Sequence, residues 1–185
     1  TGMWPVTTTQ EYELDYVAGE YRLRLSPAQW RLQAPLRATV TGDMLVEVDG
    51  RAVNAARQAY GLFFGGAGQG AEEKFVAFII SPTGYYALVR YQAATESFLV
   101  PWTAADVIQR GAATNRLAVA RVGDWVHCAV NGVPLLALQE TALAQGAQLG
   151  LIAFCWEAPY AEARFDNFRL LPLGGLLGLG DTGQA

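Results

Sequence analysis

The sequence has few of the residues that build metal and nucleophilic sites. Its 185 residues include one histidine and two cysteines, which are His127, Cys128 and Cys155. Zinc sites usually take three or four Cys, His or carboxylate ligands, and this inventory can scarcely supply them. His127 and Cys128 are adjacent in an extended stretch, where neighbouring side chains point to opposite faces. They therefore cannot form a cysteine–histidine catalytic pair with each other.

Charged residues are also scarce, and lysine most of all. Asp, Glu, Lys and Arg make up 16% of the chain and the formal net charge is −4, while Lys74 is the single lysine. No nucleic-acid partner is expected, because no basic cluster is present to neutralise phosphates. No membrane insertion is expected either, because no apolar run approaches the roughly 20 residues that cross a bilayer.

The chain does contain many short segments with the period-two alternation of β-strands. Tyr12, Leu14 and Tyr16 alternate with acidic residues, which is typical of a strand with one face in water. The run Phe75–Ile80 is apolar on both faces, which favours a place in the middle of a sandwich. Strands are predicted over residues 11–25, 43–53, 75–80, 85–91, 148–155 and 161–171, with three more between 115 and 138.

Turn residues join the three strands that are predicted between residues 115 and 138. Gly123-Asp124 and Asn131-Gly132 tolerate the positive φ of primed turns, so residues 115–138 are predicted to form a three-stranded meander. Helical turns are predicted over Trp102–Gln109 and Glu140–Gln145. About a dozen short strands indicate an all-β sandwich or barrel. The prediction is a single domain over residues 1–171, followed by a Gly/Leu-rich linker or tail over 172–185.

Several segments, taken in order, carry a resemblance to a known superfamily. They are YGLFF at 60–64, the hairpin at 75–91, PWTAADVI at 101–108, the meander at 115–135, QLGLIAF at 148–154 and FDNFRL at 165–170. In order and spacing they resemble the concanavalin A-like lectin/glucanase superfamily, in its laminin G-like branch of bacterial type. The resemblance implies a two-sheet antiparallel jelly-roll sandwich. It also implies a module of a larger bacterial protein, which binds carbohydrate or a cell-surface partner outside the cytoplasm. Some relatives are glycanases, so the prediction of a non-catalytic module rests on the residues considered below.

A sugar-binding module needs aromatic platforms and a few polar groups. In the strand 85–91, Tyr86 and Arg90 share one face, and the opposite face is the more apolar. We therefore expect Tyr86 and Arg90 on the open face and Tyr85, Val89 and Tyr91 in the core.

Trp102 and Trp156 complete the predicted ligand-binding set, because both lie in expected turns or loops, where function concentrates. Trp30 and Trp125 are expected to pack in the core.

No catalytic residue is predicted. Glu47 and Asp49 share a face of one strand, but the third acid of a family-16 glycoside hydrolase motif is replaced by Ala52. A retaining hydrolase needs two carboxyl groups about 5–5.5 Å apart as nucleophile and acid/base. Because the third acid of the motif is missing, Glu47 and Asp49 are interpreted as the solvated face of a strand. Two alternatives to the carbohydrate-binding module stay open. One is a structural or protein-interaction domain without a small ligand, and the other is a glycoside hydrolase-like enzyme.

No metal or cofactor is predicted, although a structural calcium ion is an open alternative. Asp166 and Asn167, with Asp15 or Glu20, are the oxygen donors it would use. The favoured interpretation of Asp166 and Asn167 is a polar pair that bonds to nearby backbone. Two cysteines permit one disulfide if their Cα atoms lie within about 7 Å of each other, and otherwise they act as small buried hydrophobes.

Overall fold

Fourteen β-strands make up most of the described part of the chain. The computed structural model describes residues 2–54, 57–93, 95–141, 147–157 and 159–173. The strands are β1 (Thr7–Thr8), β2 (Tyr12–Val17), β3 (Glu20–Leu25), β4 (Arg31–Pro35), β5 (Met44–Ala52), β6 (Gln58–Ala67), β7 (Lys74–Ile80), β8 (Tyr85–Gln92), β9 (Thr95–Ala104), β10 (Asn115–Val122), β11 (Trp125–Val130), β12 (Val133–Gln139), β13 (Gln148–Cys155) and β14 (Ala161–Pro172). Short 3₁₀ turns occur at Pro27–Gln29 and Gly70–Glu72. Within the described ranges, no helix is long and apolar enough to cross a membrane.

The strands form two antiparallel sheets. The eight-stranded sheet has the order β1-β2-β3-β14-β5-β10-β11-β12, and the six-stranded sheet has the order β4-β13-β6-β7-β8-β9. Every strand pairing within them is antiparallel. The predicted all-β, two-sheet antiparallel sandwich is therefore confirmed.

The turns of the predicted meander have the expected backbone conformations. Asn131 and Gly132, which join β11 to β12, have φ values of 51° and 80°. Gly123, between β10 and β11, has a φ of 56°. Asn and Gly adopt these left-handed conformations at little cost, and the resulting twist suits antiparallel strands.

The predicted helical turn over Trp102–Gln109 is wrong in its first half. Residues 102–104 continue strand β9, in which Thr103 pairs with Tyr86 and Ala104 with Tyr85. Pairing with β8 outweighs the local pattern. A single turn follows, in which the Ile108 N–H donates to the Ala105 carbonyl oxygen at 3.1 Å.

Two other predictions fall mostly on residues outside the described ranges. Residues 142–146 include most of the second helical turn, and residues 174–185 include most of the predicted linker. Within the described part, strand β14 continues to Pro172, and the Leu173 N–H donates to the Asp43 carbonyl oxygen at 2.9 Å.

The main hydrophobic core lies between the two sheets. Strand β5 shows how the eight-stranded sheet contributes to it, since Met44, Val46 and Val48 are buried while the alternating residues are only partly buried. From the six-stranded sheet, Tyr60 and Phe78 are fully buried in the same cluster. This pattern confirms the prediction of strands with one wet face for the eight-stranded sheet.

Both cysteines are free thiols in this core. Cys128 lies in β11 of the eight-stranded sheet and Cys155 ends β13 of the six-stranded sheet, and both are buried. Burial raises the pKa of the Cys128 thiol well above its usual value. The Cys155 thiol donates to the Glu157 carbonyl oxygen at 3.3 Å. The structure thus agrees with the interpretation of two small buried hydrophobes.

Truncation of a ring in the inter-sheet core will destabilise the fold. Phe78→Ala is expected to lower the free energy of unfolding by about 3–5 kcal/mol, because it leaves a cavity between the sheets. Phe98→Ala is the matched control, and it should cost less than about 1 kcal/mol since Phe98 is exposed. Urea unfolding of both variants measures the difference, and equal losses would contradict the assignment of the core.

The thiols are expected to be unreactive until the protein unfolds. Thiolate is the reactive form, and burial disfavours it. A thiol reagent should label neither cysteine rapidly in the native protein and both in guanidinium chloride without reductant. Fewer than two reactive thiols in the unfolded, unreduced chain would reveal a disulfide.

Candidate functional site

The six-stranded sheet is apolar on both faces. One face packs in the inter-sheet core, and the face turned away from the eight-stranded sheet, here called the outer face, carries a second cluster of buried apolar side chains. This second cluster consists of Ala59, Phe63, Phe75, Ala77, Ile79, Ala87, Val89, Tyr91, Ile152 and Phe154. Its existence explains why β6 and β7 are apolar at consecutive positions.

Four rings on this outer face form a nearly parallel row, here called the aromatic strip. Phe75 stacks on Tyr91 at 4.6 Å between ring centroids, Tyr91 on Phe154 at 6.2 Å, and Phe154 on Trp156 at 5.5 Å. The interplanar angles are 20°, 21° and 14°. Strands β8 and β13 are separated by β6 and β7, and their rings meet because these two strands present small residues such as Ala77 to the outer face.

Arg31 holds one side of the aromatic strip. Its guanidinium carbon lies 5.1 Å from the Phe75 centroid, 5.0 Å from that of Tyr91 and 5.4 Å from that of Trp30. The guanidinium also pairs with the Glu73 carboxylate at 2.8 Å. A cation at this distance from aromatic faces is attracted by their quadrupoles. Arg31 therefore fixes ring positions at this end of the strip.

A groove of about 850 Å³ lies on the outer face beside the strip. Its floor and walls come from β6, β7, β8, β9 and the residues after β13. The lining residues are Arg57, Gln58, Ile79, Ser81, Pro82, Thr83, Tyr85, Val89, Tyr91, Glu96, Phe98, Trp102, Gly111, Trp156 and Glu157. This volume is within the range of small-molecule binding clefts.

Trp102 and Trp156 reach the groove from different elements and meet at right angles. Trp102 belongs to β9 and Trp156 directly follows β13, yet their centroids are 6.3 Å apart and their planes make an angle of 84°. Each stays about two-fifths exposed, at 38% and 41%. The structure thus places these two predicted site residues together, with their indole surfaces open to a ligand.

Hydroxyl groups and carboxylates border the aromatic surfaces. The Tyr91 hydroxyl donates to the Glu96 carboxylate at 3.0 Å. Burial, together with the Glu96 charge, raises the pKa of Tyr91, so this phenol stays protonated. At one end of the groove the hydroxyls of Ser81 and Thr83 are 2.8 Å apart.

Gln58 adds a buried amide to the groove lining. Its Nε2 donates to the Asn54 carbonyl oxygen at 2.7 Å and to the Asn54 side-chain oxygen at 2.9 Å. Its Oε1 is buried and accepts no hydrogen bond from the described residues. An unpaired buried acceptor gains free energy from any donor that reaches it.

The predicted orientation of strand β8 is wrong. Tyr86 is buried in the inter-sheet core, where its hydroxyl donates to the Leu135 carbonyl oxygen at 3.4 Å. Arg90 shares that face and pairs with the buried Glu140. Both faces of β8 are apolar, and the set with Tyr85 and Tyr91, expected in the core, lines the groove instead. Tyr86 and Arg90 therefore do not line the groove.

The prediction that Trp30 and Trp125 pack in the core is also wrong. Their exposed fractions are 45% and 47%. Trp30 precedes edge strand β4 and lies 6.0 Å from the Phe154 ring on the outer face. Trp125 starts β11 in the other sheet, next to His127, whose ring is 6.4 Å away. Each residue faces away from the inter-sheet core.

The carboxylate pair considered for catalysis lies on the eight-stranded sheet, away from the groove. Glu47 and Asp49 face outward from β5. Asp49 accepts hydrogen bonds from Arg116 at 2.9 Å and from Asn167 at 2.9 Å. The Arg116 guanidinium, with Asn167, holds the pKa of Asp49 below its usual range. Asp49 is thus engaged in an ion pair on a solvated strand face.

The oxygen donors considered for calcium are engaged in other contacts. Asp15 pairs with Arg22 at 2.8 Å, and Glu20 pairs with Arg51 at 2.6 Å. The Asp166 carboxylate accepts from the neighbouring Asn167 N–H at 2.8 Å. Across the described ranges, no three His, Cys, Asp or Glu side chains are grouped so that they could share a metal ion. A structural calcium ion stays an alternative prediction.

The sequence patterns did not predict several of the residues that line the groove. Tyr85 and Tyr91 were assigned to the core, and Glu96 and Phe98 lie in a strand that was not predicted. The aromatic and β-branched residues Phe98, Val100 and Trp102 were the available signal for that strand. Gln58 gave no signal, because it is brought to the groove by the pairing of β6 with β13.

The fold is similar to several solved carbohydrate-active and carbohydrate-binding proteins. The carbohydrate-binding module CBM66 from Bacillus subtilis superposes with a TM-score of 0.67 at 14% identity, over 92% of each chain. A family 7 alginate lyase in complex with a product gives 0.61 at 10% identity, over 89% of this chain and 84% of the lyase. A sialidase gives 0.63 at 8% identity, and this chain, matched over 93% of its length, spans only 17% of the sialidase.

No protein-family model and no curated protein matches the sequence. The structural similarities agree with the predicted fold, a two-sheet antiparallel jelly-roll sandwich of concanavalin A-like type. Membership of the superfamily, its laminin G-like branch and a bacterial origin stay predictions. Function is not transferred at this level of identity, because one fold hosts many functions.

Loss of the Arg31 cation will loosen the aromatic strip. Arg31→Met is expected to lower the free energy of unfolding by about 1–2 kcal/mol, since the guanidinium faces three rings. Arg116→Met is the matched control, because Arg116 pairs with Asp49 on the other sheet and contacts no strip residue. The urea midpoint of Arg116→Met should hardly change. An equal change of the midpoint in both variants would contradict the role of Arg31.

Proposed function

We propose that this protein is a non-catalytic binding module that recognises carbohydrate in the groove on the outer face of the six-stranded sheet. The observation that carries the proposal is the right-angled pair of Trp102 and Trp156, whose exposed rings line that groove. Sugar rings have apolar C–H faces that pack on aromatic surfaces, and their hydroxyls need polar partners nearby. The groove supplies both kinds of group.

The stacking of the rings supports a preformed binding platform. Trp156 stacks on Phe154, and the strip continues through Tyr91 to Phe75. Rings held by neighbouring rings lose little conformational freedom when a ligand binds, which favours affinity. The similarity in fold to a carbohydrate-binding module supports the same proposal.

A non-catalytic role is the second part of the proposal. Glu47, Asp49 and His127, the groups considered for catalysis, lie on the eight-stranded sheet. The groove has its own carboxylates, Glu96 and Glu157, and a hydrolase would use a pair of this kind. We expect no release of reducing ends from any glycan that binds. Turnover that is lost in Glu96→Gln would favour the glycoside hydrolase alternative.

We further propose that the module belongs to a larger bacterial protein and acts outside the cytoplasm. The resemblance to laminin G-like modules supports this, as does the sialidase, which is far longer than the part that this chain matches.

Truncation of either groove tryptophan will reduce glycan binding. A glycan array identifies a bound oligosaccharide, and calorimetry then compares variants. Trp102→Ala and Trp156→Ala are each expected to weaken binding about tenfold or more, the change that corresponds to about 1.4 kcal/mol.

Trp125→Ala is the matched control for both variants, because Trp125 has a similar exposed fraction but lies on the other sheet. Its affinity should equal that of the unmodified protein. The proposal fails if the array yields no binder, or if all three variants bind alike.

A protein-interaction domain is the second candidate function. The outer face of the eight-stranded sheet has a depression of about 410 Å³, which is mainly lined by small and apolar residues. Leu45, Ala118, Ala120 and Pro134 are among them. Exposed apolar patches on a monomer often mark contact sites. Self-association that Ala120→Glu abolishes, without any glycan binding, would favour this candidate.

A further inference from the structure

We infer that the groove selects neutral glycans and rejects acidic ones; this inference rests on the proposed function and narrows its ligand class. The reason is the balance of charge on the groove lining. Among the described residues, the lining has one cation, Arg57, and two carboxylates, Glu96 and Glu157. A uronate or sulfate in this groove would therefore meet more negative than positive charge.

Two further basic side chains lie near the groove: Arg110, which is exposed beside Gly84, and Arg31, which is already engaged. Arg31 packs against the rings of the aromatic strip and pairs with Glu73 at 2.8 Å. Glu73 offsets the charge of this guanidinium, so Arg31 adds no net positive charge beside the groove. Arg31 thus contributes mainly to the shape of the platform.

Several hydrogen-bonding groups in the groove are acceptors, beside donors such as Arg57 and the indole N–H groups of Trp102 and Trp156. The Gln58 amide directs both donor contacts to Asn54 and its Oε1 is buried, so Gln58 offers no free donor to a ligand. The Tyr91 hydroxyl donates to Glu96, so its remaining capacity is also to accept. Glu96 and Glu157 accept when ionised.

Neutral sugars match this inventory, because each hydroxyl can donate a hydrogen bond. Carboxylate and sulfate groups can only accept, so beside Glu96 and Glu157 they would put like-charge repulsion where a neutral sugar hydroxyl donates a hydrogen bond. The aromatic surfaces do not distinguish the two ligand classes, since both have apolar ring faces. Selectivity therefore comes from the polar groups.

The test compares length-matched hexasaccharides on one surface. Neutral gluco-, xylo- and manno-oligosaccharides form one arm, and oligogalacturonate and oligomannuronate form the other. At least one neutral ligand should bind at least about tenfold more tightly than every acidic one. Its affinity should change little between about 50 and 500 mM salt, since no ion pair forms with the protein.

Charge variants distinguish the effect of the groove carboxylates on selectivity from the effect of the protein's overall charge. Glu96→Gln with Glu157→Gln should reduce the ratio of neutral to acidic affinity about tenfold or more. The matched control is Glu11→Gln with Glu72→Gln, which removes the same charge at two exposed positions outside the groove. The control should keep the original ratio.

Each outcome has a distinct meaning. Tighter binding of an acidic glycan by the unmodified protein would overturn the inference and leave the proposed function standing. Equal ratios in both double variants would also overturn it. If the protein binds no ligand in the neutral arm and none in the acidic arm, the proposed function itself is contradicted, provided that thermal unfolding shows that the protein is folded.

Discussion

The structure depends on a six-stranded sheet that must bury both of its faces. A sandwich sheet of antiparallel strands ordinarily packs one face and leaves the other in water. Here β6 and β7 are apolar at every position of their central runs, so the outer face needs a cover of its own. The rings of the aromatic strip provide it by leaning over the small residues of the central strands. The space that these rings do not fill is the groove.

The same constraint separates the roles of the two sheets. The eight-stranded sheet places charged residues on its outer face, where arginines pair with acidic neighbours such as Asp15 and Glu20. Those pairs are partly exposed and are typical of a solvated surface. The six-stranded sheet instead presents aromatic surface with a few polar groups at its border. The proposed ligand, which offers both C–H faces and hydroxyls, is therefore expected on the second surface.

Local patterns in the sequence predicted the strands and the meander, but not the side chains that meet in the groove. Asn131 and Gly132 determine their own turn, so that prediction needed no distant contacts. Tyr86 and Tyr91 were assigned to the wrong faces, because both faces of β8 are apolar and the period of two does not distinguish them. Arg31 reaches Tyr91 only through the strand order β4-β13-β6-β7-β8, which no local pattern contains. Trp102 and Trp156 were predicted individually, while their right-angled contact depends on the whole sheet.

The central claim is that the groove is where the ligand binds, and the five indole N–H signals in an NMR titration test it most directly. During titration with a neutral oligosaccharide, the Trp102 and Trp156 signals should shift in a saturable manner. Trp4, buried beneath Phe168, and Trp125, on the other sheet, should stay unchanged. A saturable shift at Trp125, with Trp102 and Trp156 unchanged, would place the ligand on the wrong sheet and contradict the account.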